Sequence, residues 1–329
     1  MKFSGITLIT GANGFIGFAL LNELAKNPSL KIRVTDLNND RINLLNNKNI
    51  EYIRSDIRNE VDLKKLFSGV DRVFHVAGIC NLSTPYETLK PINVNAVEKI
   101  TDFALENKVK SYVHFSSSSV YGIYRGTPFK ETDFCNPMDA YAKSKYDGEQ
   151  IVLTKISKGL KAVILRPCTV YGPGCNDGAG KVFSRPGKIA GIPGCGDKKL
   201  ANVRVEDVSS AAIFLSEKDN VFGEIFNIAD DSHPSLGEAL DLASIAFGSK
   251  INKIHIPLGI LKVLAKLEAP IAKLRGKIPD LEFEAIKYLY KDYCMDNQKL
   301  KSVGYTFQYP DFKNSILKMQ FVSKGDSIE

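Results

Sequence analysis

The sequence lacks paired cysteines, and this absence limits the kinds of site it can hold. Six cysteines occur among 329 residues, but no Cys-x-x-Cys pair is present, and none stands at metal-ligand spacing from the four histidines. We therefore expect free thiols, a reducing, cytoplasmic location and no metal centre.

Long apolar runs and concentrated basic charge are also missing. No apolar run is long enough to span a bilayer, and the chain enters a strand within a few residues of Met1, so we expect neither a transmembrane segment nor a signal peptide. The net charge of +7 comes from scattered lysines, whereas nucleic-acid binding requires a concentrated basic face. The composition is that of an ordinary globular protein, for which we expect a small-molecule substrate and no nucleic acid.

What the sequence does contain is a glycine-rich turn close to its start. The apolar run 6–9 predicts a buried strand, and the periodic segment 18–26 predicts a helix. Gly11, Gly14 and Gly17 stand between them, where glycine permits a tight turn and a close approach of backbone N–H groups to a pyrophosphate. The N-terminus of the following helix adds its unpaired N–H groups and its positive dipole end. This pattern predicts a dinucleotide site.

A second strand, 31–35, leads to an acidic residue at the position that this site requires. Asp36 stands nineteen residues beyond Gly17, where a carboxylate meets a ribose 2′-hydroxyl. Because the carboxylate would repel a 2′-phosphate, we predict that NAD(H) is preferred over NADP(H). Arg41 is the residue that would favour NADP(H) if its loop folds back.

The rest of the chain alternates strands with helices, which predicts an α/β fold with a Rossmann-type, doubly wound parallel sheet. The predicted strands are 6–9, 31–35, 50–54, 70–76, 109–115, 161–165 and 224–229. The predicted helices include 18–26, 38–46, 60–67, 86–107, 141–158 and 235–247. We assign the NAD-binding domain to 1–172 with 201–230 returning to it, a smaller and mostly helical substrate-binding part to 173–200 and 231–323, and a tail to 324–329.

Tyr141 and Lys145 are four residues apart and share one face of a predicted helix. A free tyrosine titrates near pH 10, and a neighbouring ammonium favours its phenolate. We therefore expect Lys145 to lower the pKa of Tyr141 and to suit that tyrosine to general acid/base work on an alcohol or carbonyl.

With these motifs the sequence closely resembles the extended short-chain dehydrogenase/reductase family, the NAD-dependent epimerase/dehydratase group. The resemblance covers nearly the whole chain. It rests on TGANGFIG at 10–17, Asp36, Asp56-Ile57, HVAG at 75–78, NVN at 93–95, FSSSSVYG at 115–122, YAKSK at 141–145, LRPCTVYGPG at 165–174 and VRVEDV at 203–208.

The resemblance implies a set of residues that hold NAD. The pyrophosphate would be bound by Gly11, Gly14, Phe15, Ile16 and Gly17. The remaining cofactor contacts would be Asp36 on the adenosine ribose, Asp56 and Ile57 beside adenine, Ala77, Gly78 and Asn93 along the cofactor, and Tyr141, Lys145 and Pro167 near the nicotinamide and its ribose. It also implies an NAD-dependent enzyme that acts as a homodimer, with the helices 86–107 and 141–158 forming the dimer interface.

The family's catalytic hydroxyl lies four residues before the tyrosine of its VYG motif, which selects Ser117 here. Ser117, Tyr141 and Lys145 are therefore the catalytic residues that the resemblance implies. Ser118 and Thr169 are the candidate substrate contacts. We interpret His75 as structural or cofactor-lining rather than as an acid or base.

Departures from the family pattern reduce the number of reactions and substrates that we expect for this chain. Ser118 and Ser119 replace the Asp-Glu pair of the dehydratases, so dehydration is not expected. Thr169 and Leu200 stand where relatives that bind nucleotide sugars usually have Asn and Arg, although Lys198 and Lys199 are nearby. The sequence resembles the 3β-hydroxysteroid dehydrogenase-like branch more than the UDP-sugar epimerase-like one.

Three functions stay open at this point. The first is net hydride transfer between nicotinamide and a secondary hydroxyl or ketone, and the second is UDP-sugar 4-epimerisation, in which the cofactor is reduced and reoxidised in one turnover. The third is a non-catalytic NAD sensor.

The segment 258–274 predicts an apolar helix with Lys262, Lys266 and Lys273 on its other side. We expect it to pack on its neighbours in the substrate-binding part. The alternatives are contact with a membrane surface and a cap over an apolar substrate.

Overall fold

The computed structural model describes residues 5–45, 47–123, 126–175, 180–184, 186–274, 279 and 281–325. Its strands are β1 (Ile6–Thr10), β2 (Lys31–Thr35), β3 (Ile50–Tyr52), β4 (Val70–His75), β5 (Ser111–Phe115), β6 (Ala162–Pro167), β7 (Thr169–Tyr171), β8 (Ile192–Pro193), β9 (Asn202–Arg204), β10 (Ile225–Ile228) and β11 (His255–Ile256). Its α-helices are α1 (Phe15–Ala25), α2 (Glu60–Phe67), α3 (Tyr86–Lys90), α4 (Ala96–Glu106), α5 (Ala140–Ser157), α6 (Lys181–Ser184), α7 (Val205–Ser216), α8 (Leu236–Phe247), α9 (Leu258–Leu274), α10 (Gln298–Ser302) and α11 (Phe312–Gly325).

The predicted parallel sheet is confirmed. Its strand order is β10-β6-β5-β4-β1-β2-β3, and every neighbouring pair is parallel. Consecutive residues along its central strands face opposite sides: Leu8 belongs to one core cluster and Ile9 to the other, as do Val73 and Phe74. Both faces are therefore covered, and the strand order reverses between β1 and β4, where such sheets bind ligands.

The helix predicted at 38–46 is wrong. The described residues there form only a 3₁₀ turn, Ile42–Leu45. The side chain of Asn13 accepts hydrogen bonds from the backbone N–H groups of Arg41 (2.9 Å) and Ile42 (3.4 Å), and its amide donates to Asn38 (2.7 Å). These side-chain bonds compete with a regular helix and tie the segment to the glycine-rich turn instead.

The single helix predicted at 86–107 is also wrong in detail. It consists of α3, a π-helical turn at Pro91–Asn95, and α4. Proline cannot donate the backbone hydrogen bond that a regular helix requires, and π-turns are frequent at functional sites. The wider turn buries Asn93 against the neighbouring helix α5, where its amide donates to the hydroxyl of Ser144 (2.9 Å).

The C-terminal third is mostly helical and contains a few short strands. Helices α8 and α11 form a separate apolar cluster with β7 and β8, which pair in parallel with β9 and β11, and α9 packs in a smaller cluster of its own. Helix α11 continues through Gly325, two residues into the predicted tail, and 326–329 lie outside the described residues. Within the described part of the chain, no helix is both long and apolar enough to cross a membrane.

Candidate active site

The glycine-rich turn joins β1 to α1 and has the shape that a pyrophosphate requires. A Cβ atom at Gly17 would lie 2.0 Å from the carbonyl oxygen of Gly11, and Gly11 itself has φ of +71°. Gly14 is the N-cap of α1, and no side chain caps the helix there. The first backbone N–H groups of the helix, including those of Phe15 and Ile16, therefore have no side-chain acceptor. A helix end of this kind binds an anionic group.

Asp36 lies at the end of β2 and faces this turn. One carboxylate oxygen accepts from the backbone N–H of Asn13 (3.0 Å) and the other accepts from Leu37 (2.7 Å). The carboxylate is thereby fixed beside the turn and keeps lone pairs for a ribose hydroxyl. The guanidinium of Arg41 lies over the ring of Phe18, 4.4 Å from its centroid.

The two residues assigned to adenine occupy different environments. The carboxylate of Asp56 accepts from the Arg58 guanidinium, and this bond and charge lower the pKa of Asp56. The side chain of Ile57 is buried in the core cluster under the sheet, so its backbone rather than its side chain is left for a ligand. Neither residue hydrogen-bonds to the turn at Gly11.

Asn93 holds the loop after β4 against helix α5. Its side-chain oxygen accepts from the N–H of Ile79 (2.9 Å), and its amide donates to the carbonyl of Ile79 (3.0 Å) and to the hydroxyl of Ser144 (2.9 Å). A Cβ at Gly78 would lie 3.1 Å from that oxygen and 3.7 Å from the ammonium of Lys145. The loop at Ala77 and Gly78 is thus positioned directly against α5.

His75, the last residue of β4, is buried and bonded to the same turn. Its Nδ1 lies 2.8 Å from the hydroxyl of Thr10, which also accepts from the N–H of Ala77 (3.3 Å). Burial and the nearby Lys145 charge lower the pKa of His75 to about 3. The imidazole is neutral at physiological pH, which supports a structural role rather than acid/base catalysis.

The serine run 116–119 follows β5, and its backbone leaves the extended conformation after Ser117. Ser117 is the N-cap of the 3₁₀ helix Ser118–Tyr121, and its hydroxyl accepts from the N–H (3.2 Å) and hydroxyl (2.9 Å) of Ser119. The hydroxyl of Ser117 also interacts with the Tyr141 phenol and lowers the pKa of that phenol, whereas the buried hydroxyl of Ser116 has no hydrogen-bond partner among the described residues. The geometry therefore brings Ser117, not Ser116, to the tyrosine.

The expected lowering of the tyrosine pKa is not found. Burial raises the pKa of the Tyr141 phenol well above 10, the thiol of Cys80 raises it further, and the hydrogen bond with Ser117 only partly opposes these effects. The expectation fails because burial disfavours the charged phenolate more strongly than the hydrogen bond with Ser117 favours it. In this state of the protein the phenol holds its proton.

Lys145 is the second unusual group of the site. Its side chain is only 8% exposed, and none of the described carboxylates lies within ion-pair distance of its ammonium. Burial lowers the pKa of Lys145 to about 8, while Cys80 and Glu149 act in the opposite direction. A buried ammonium without an anionic partner fits the hydroxyl groups of a bound ribose, which would accept its hydrogen bonds.

A buried ion pair fixes the helix that carries these residues. The guanidinium of Arg166 on β6 donates to both carboxylate oxygens of Glu149, at 2.5 and 3.0 Å, and the two side chains are 3% and 0% exposed. Glu149 follows Lys145 by one helical turn. Because a buried ion pair with two parallel hydrogen bonds fixes both the distance and the relative orientation of its two side chains, it positions α5 on the sheet.

Residues 281–295, which we call the C-terminal strap, contact three segments of the site. The carboxylate of Glu282 accepts from the N–H groups of Leu82 (2.7 Å) and Ser83 (3.1 Å). The Tyr288 hydroxyl donates to Asp139 (2.6 Å), the N-cap of α5. The Tyr293 hydroxyl donates to the carbonyl of Ser118 (2.5 Å). The strap therefore connects the loop that follows Cys80, the serine run and the start of the catalytic helix.

Neither of the two positions that distinguish nucleotide-sugar relatives carries a positive charge, although Lys199 beside them is exposed. Leu200 packs against the apolar cluster of the C-terminal part, and Thr169 lies half-buried in β7. Lys198 forms an ion pair with Asp197 (2.8 Å) at the rim of a cavity of about 480 Å³. That cavity is also lined by apolar residues such as Leu258 and by His255 and Tyr290, and none of Ser117, Tyr141 and Lys145 lines it.

The Cys80 thiol and the strap were missed from the sequence. Cys80 acts on both Tyr141 and Lys145 through its position in the loop after Gly78. Its closeness in sequence to Gly78 was the available signal. The strap contacts join residues about 150 to 200 positions apart, and no local pattern reports such distances.

The fold and the site together define an α/β protein with a dinucleotide cradle and a tyrosine–lysine–serine cluster at the carboxyl ends of its strands. The sequence matches the NAD-dependent epimerase/dehydratase family over residues 7–229. The chain belongs to this family of NAD-dependent enzymes.

Relatives of known sequence extend over most of the chain. An uncharacterised protein of Sinorhizobium fredii is 27% identical over 95% of this chain and 76% of its own length. A 3β-hydroxysteroid-dehydrogenase/decarboxylase of Arabidopsis thaliana is 24% identical over 91% of this chain but only 58% of its own length.

Among solved structures, the UDP-glucuronic acid 4-epimerase of Bacillus cereus in complex with NAD is similar with a TM-score of 0.77 and 23% identity. The similarity covers 97% of this chain and 99% of the epimerase. At this identity the likeness establishes a shared fold.

Proposed function

We propose that this NAD-dependent enzyme transfers a hydride between nicotinamide and a secondary hydroxyl or ketone, with net oxidation or reduction of its substrate. The observation that carries the proposal is the contact of the Tyr141 phenol with Ser117, on the same helix as a buried and unpaired Lys145. A non-catalytic NAD sensor needs the ammonium for binding but has no use for a phenol and hydroxyl held together. Catalysis therefore accounts for more of the site than sensing does.

The chain's own residues would hold the cofactor along the strand ends. The glycine-rich turn with Phe15 and Ile16 would bind the pyrophosphate. The other proposed contacts are Asp36, Asp56, Ile57, Ala77, Gly78, Asn93, Tyr141, Lys145 and Pro167. Bound NAD supplies the hydride acceptor or donor. We assign these contacts to 1–172 with 201–230, and substrate binding to 173–200 and 231–323.

The proton is handled by Tyr141. In the reductive direction the protonated phenol donates to the carbonyl oxygen of the substrate, and the hydroxyl of Ser117 donates a hydrogen bond to the same oxygen. The raised pKa of the phenol supports this direction, because the proton is already in place. In the oxidative direction the phenolate accepts the proton of the substrate hydroxyl, and Lys145 favours that phenolate by its charge.

An apolar hydroxyl or ketone substrate is favoured over a nucleotide sugar. Leu200 and Thr169 occupy the positions where nucleotide-sugar relatives usually carry Arg and Asn, and Lys198 is already paired with Asp197. A lysine also lacks the two-pronged donor geometry with which arginine binds a diphosphate. The likeness to a 3β-hydroxysteroid-dehydrogenase/decarboxylase supports a sterol-like alcohol, with Ser118 and Thr169 as candidate contacts.

UDP-sugar 4-epimerisation is the alternative, and the likeness to the Bacillus cereus epimerase over 97% of the chain favours it. The two reactions differ in what they consume. An epimerase that holds NAD tightly converts UDP-sugars without added cofactor. The proposed enzyme instead requires one molecule of added NAD or NADH for each substrate molecule that it converts. The test is to incubate the purified protein with UDP-glucose and UDP-glucuronic acid without added NAD. Conversion of either sugar nucleotide would replace the proposed reaction with epimerisation.

We also propose that the enzyme is a cytoplasmic homodimer. The resemblance to the family implies a dimer interface built by the helices that correspond to α3–α4 and α5. In this chain α3 and α4 both pack on α5. Sedimentation at micromolar concentration should give twice the mass of the 36.3 kDa chain. A single species of the monomer mass would contradict the dimer without affecting the proposed chemistry.

A further inference from the structure

Helix α9 exposes a continuous row of aliphatic side chains. Ile260, Val263, Leu264, Leu267, Ile271 and Leu274 are 52%, 57%, 46%, 61%, 49% and 89% exposed. They recur at steps of three and four residues and therefore fall within an arc of roughly 100° on one helix face. We call these six residues the aliphatic stripe.

A different face of α9 anchors the helix to the protein. Leu261 and Ala265 are 6% and 1% exposed and form a small apolar cluster with Ile286 of the strap. Packing on neighbours, which the sequence predicted, is thus confirmed for this face only. The aliphatic stripe points away from the cluster, and a contiguous apolar surface of this kind on a soluble protein is a sign of an interaction site.

The third face of α9 carries positive charge. Lys262 and Lys266 are four residues apart, and their ammonium groups lie 4.6 Å and 5.2 Å from the ring centroids of Tyr290 and Phe283 in the strap. The helix has one acidic residue, Glu268, whose carboxylate accepts from the N–H of Leu281 (3.2 Å). The flank of the stripe that carries Lys262 and Lys266 is therefore basic and contains no acidic side chain.

We propose that α9 is a docking site for the surface of an anionic phospholipid bilayer. A helix that combines an apolar stripe with a basic flank lies in the plane of the interface, where the stripe enters the acyl boundary and the lysines meet lipid phosphates. The 17 residues of α9 give a helix roughly 25 Å long, and its charged face excludes a spanning orientation.

An anionic bilayer fits α9 better than a second copy of the chain does. A second copy that docked through its own α9 would bring another aliphatic stripe, but the one acidic residue of that helix, Glu268, is already bonded to its strap. A lipid surface satisfies both the apolar face and the charge. The proposal rests on α9 alone and is independent of the reaction that the enzyme performs.

The test is flotation of the full-length protein with vesicles of phosphatidylcholine alone or with about one third phosphatidylglycerol. We expect binding to the anionic vesicles that weakens with salt, and weaker binding to the neutral ones. Leu264→Gln combined with Leu267→Gln should lower the partition coefficient by roughly tenfold or more, since both side chains leave the interface. Leu44→Gln, at a leucine that is 69% exposed and far from α9 in sequence, is the control and should bind like the wild type.

The charged flank is tested separately. Lys266→Gln should reduce binding to anionic vesicles several-fold and leave binding to neutral vesicles unchanged, whereas Lys65→Gln on α2 should change neither. The fold of each variant is checked by its thermal midpoint. Equal flotation of the wild type and the double leucine variant would overturn the proposal, as would a failure of the wild type to bind anionic vesicles. A self-association that the double variant abolishes would identify a second copy as the occupant instead.

Discussion

Replacing Lys145 with methionine should make the cofactor-free protein more stable while it removes function. Methionine has a similar volume and no charge, so the variant no longer buries an unpaired ammonium. The fall of the lysine pKa from 10.5 to about 8 corresponds to roughly 3 kcal/mol of unfavourable burial. We therefore expect the free energy of unfolding of Lys145→Met to exceed that of the wild type by about 1–3 kcal/mol at pH 7.

The pH dependence distinguishes this cause from a simple packing effect. The folded-state pKa of Lys145 is below its unfolded value, so the cost of burying the charge is fully present below about pH 8. The cost decreases as the pH rises from about 8 and disappears above the unfolded value of 10.5. The stability advantage of Lys145→Met should therefore be largest at pH 7 and small at pH 10.

The assay is urea unfolding of NAD-free wild type and variant at several values of pH, followed by circular dichroism. Lys143→Met is the control, because Lys143 lies on the same helix, is 55% exposed and forms an ion pair with Asp147. That variant should differ from the wild type by less than about 1 kcal/mol at every pH. A Lys145→Met protein that is less stable at pH 7, or equally altered at pH 7 and 10, would refute the reasoning.

Three further predictions concern the site directly. Tyr141→Phe should abolish turnover and leave the NADH dissociation constant within about twofold, and appreciable residual turnover would remove the phenol from the mechanism. Ser117→Ala should lower kcat by about two to three powers of ten, whereas Ser119→Ala should remain near the wild type; the reverse order would show that the wrong serine was assigned. Fluorescence titration should give tighter binding of NADH than of NADPH, because the Asp36 carboxylate faces the turn and would repel a 2′-phosphate. Tighter binding of NADPH would instead indicate that Arg41 contacts that phosphate.

The parts of the fold that sequence reasoning predicted are those that follow from local periodicity. Strands such as β1 and β4 read as buried apolar runs. The start of α5 follows a capping rule, because Asp139 is its N-cap and the carboxylate accepts from the N–H of Ala142 (2.8 Å). The glycine-rich turn was predictable because its geometry excludes a Cβ at Gly17. Local steric and capping rules are sufficient for features of this kind.

The parts that could not be predicted depend on tertiary contacts. The loss of a helix at 38–46 results from the side-chain hydrogen bonds of Asn13, and the π-turn that buries Asn93 is joined to α5 by a hydrogen bond to Ser144. The direction of the Tyr141 pKa depends on burial, which the spacing of Tyr141 and Lys145 does not report. Likewise, periodicity showed that α9 is amphipathic but not that its aliphatic face is left exposed.

The most direct test of the proposed chemistry is the absorbance at 340 nm of the enzyme with NAD and a panel of secondary alcohols that includes 3β-hydroxysteroids. The proposed function predicts stoichiometric formation of NADH and ketone with at least one alcohol, and no NADH formation by Tyr141→Phe under the same conditions. Absence of NADH with every alcohol, together with interconversion of UDP-sugars at constant absorbance, would contradict net hydride transfer and identify the enzyme as an epimerase.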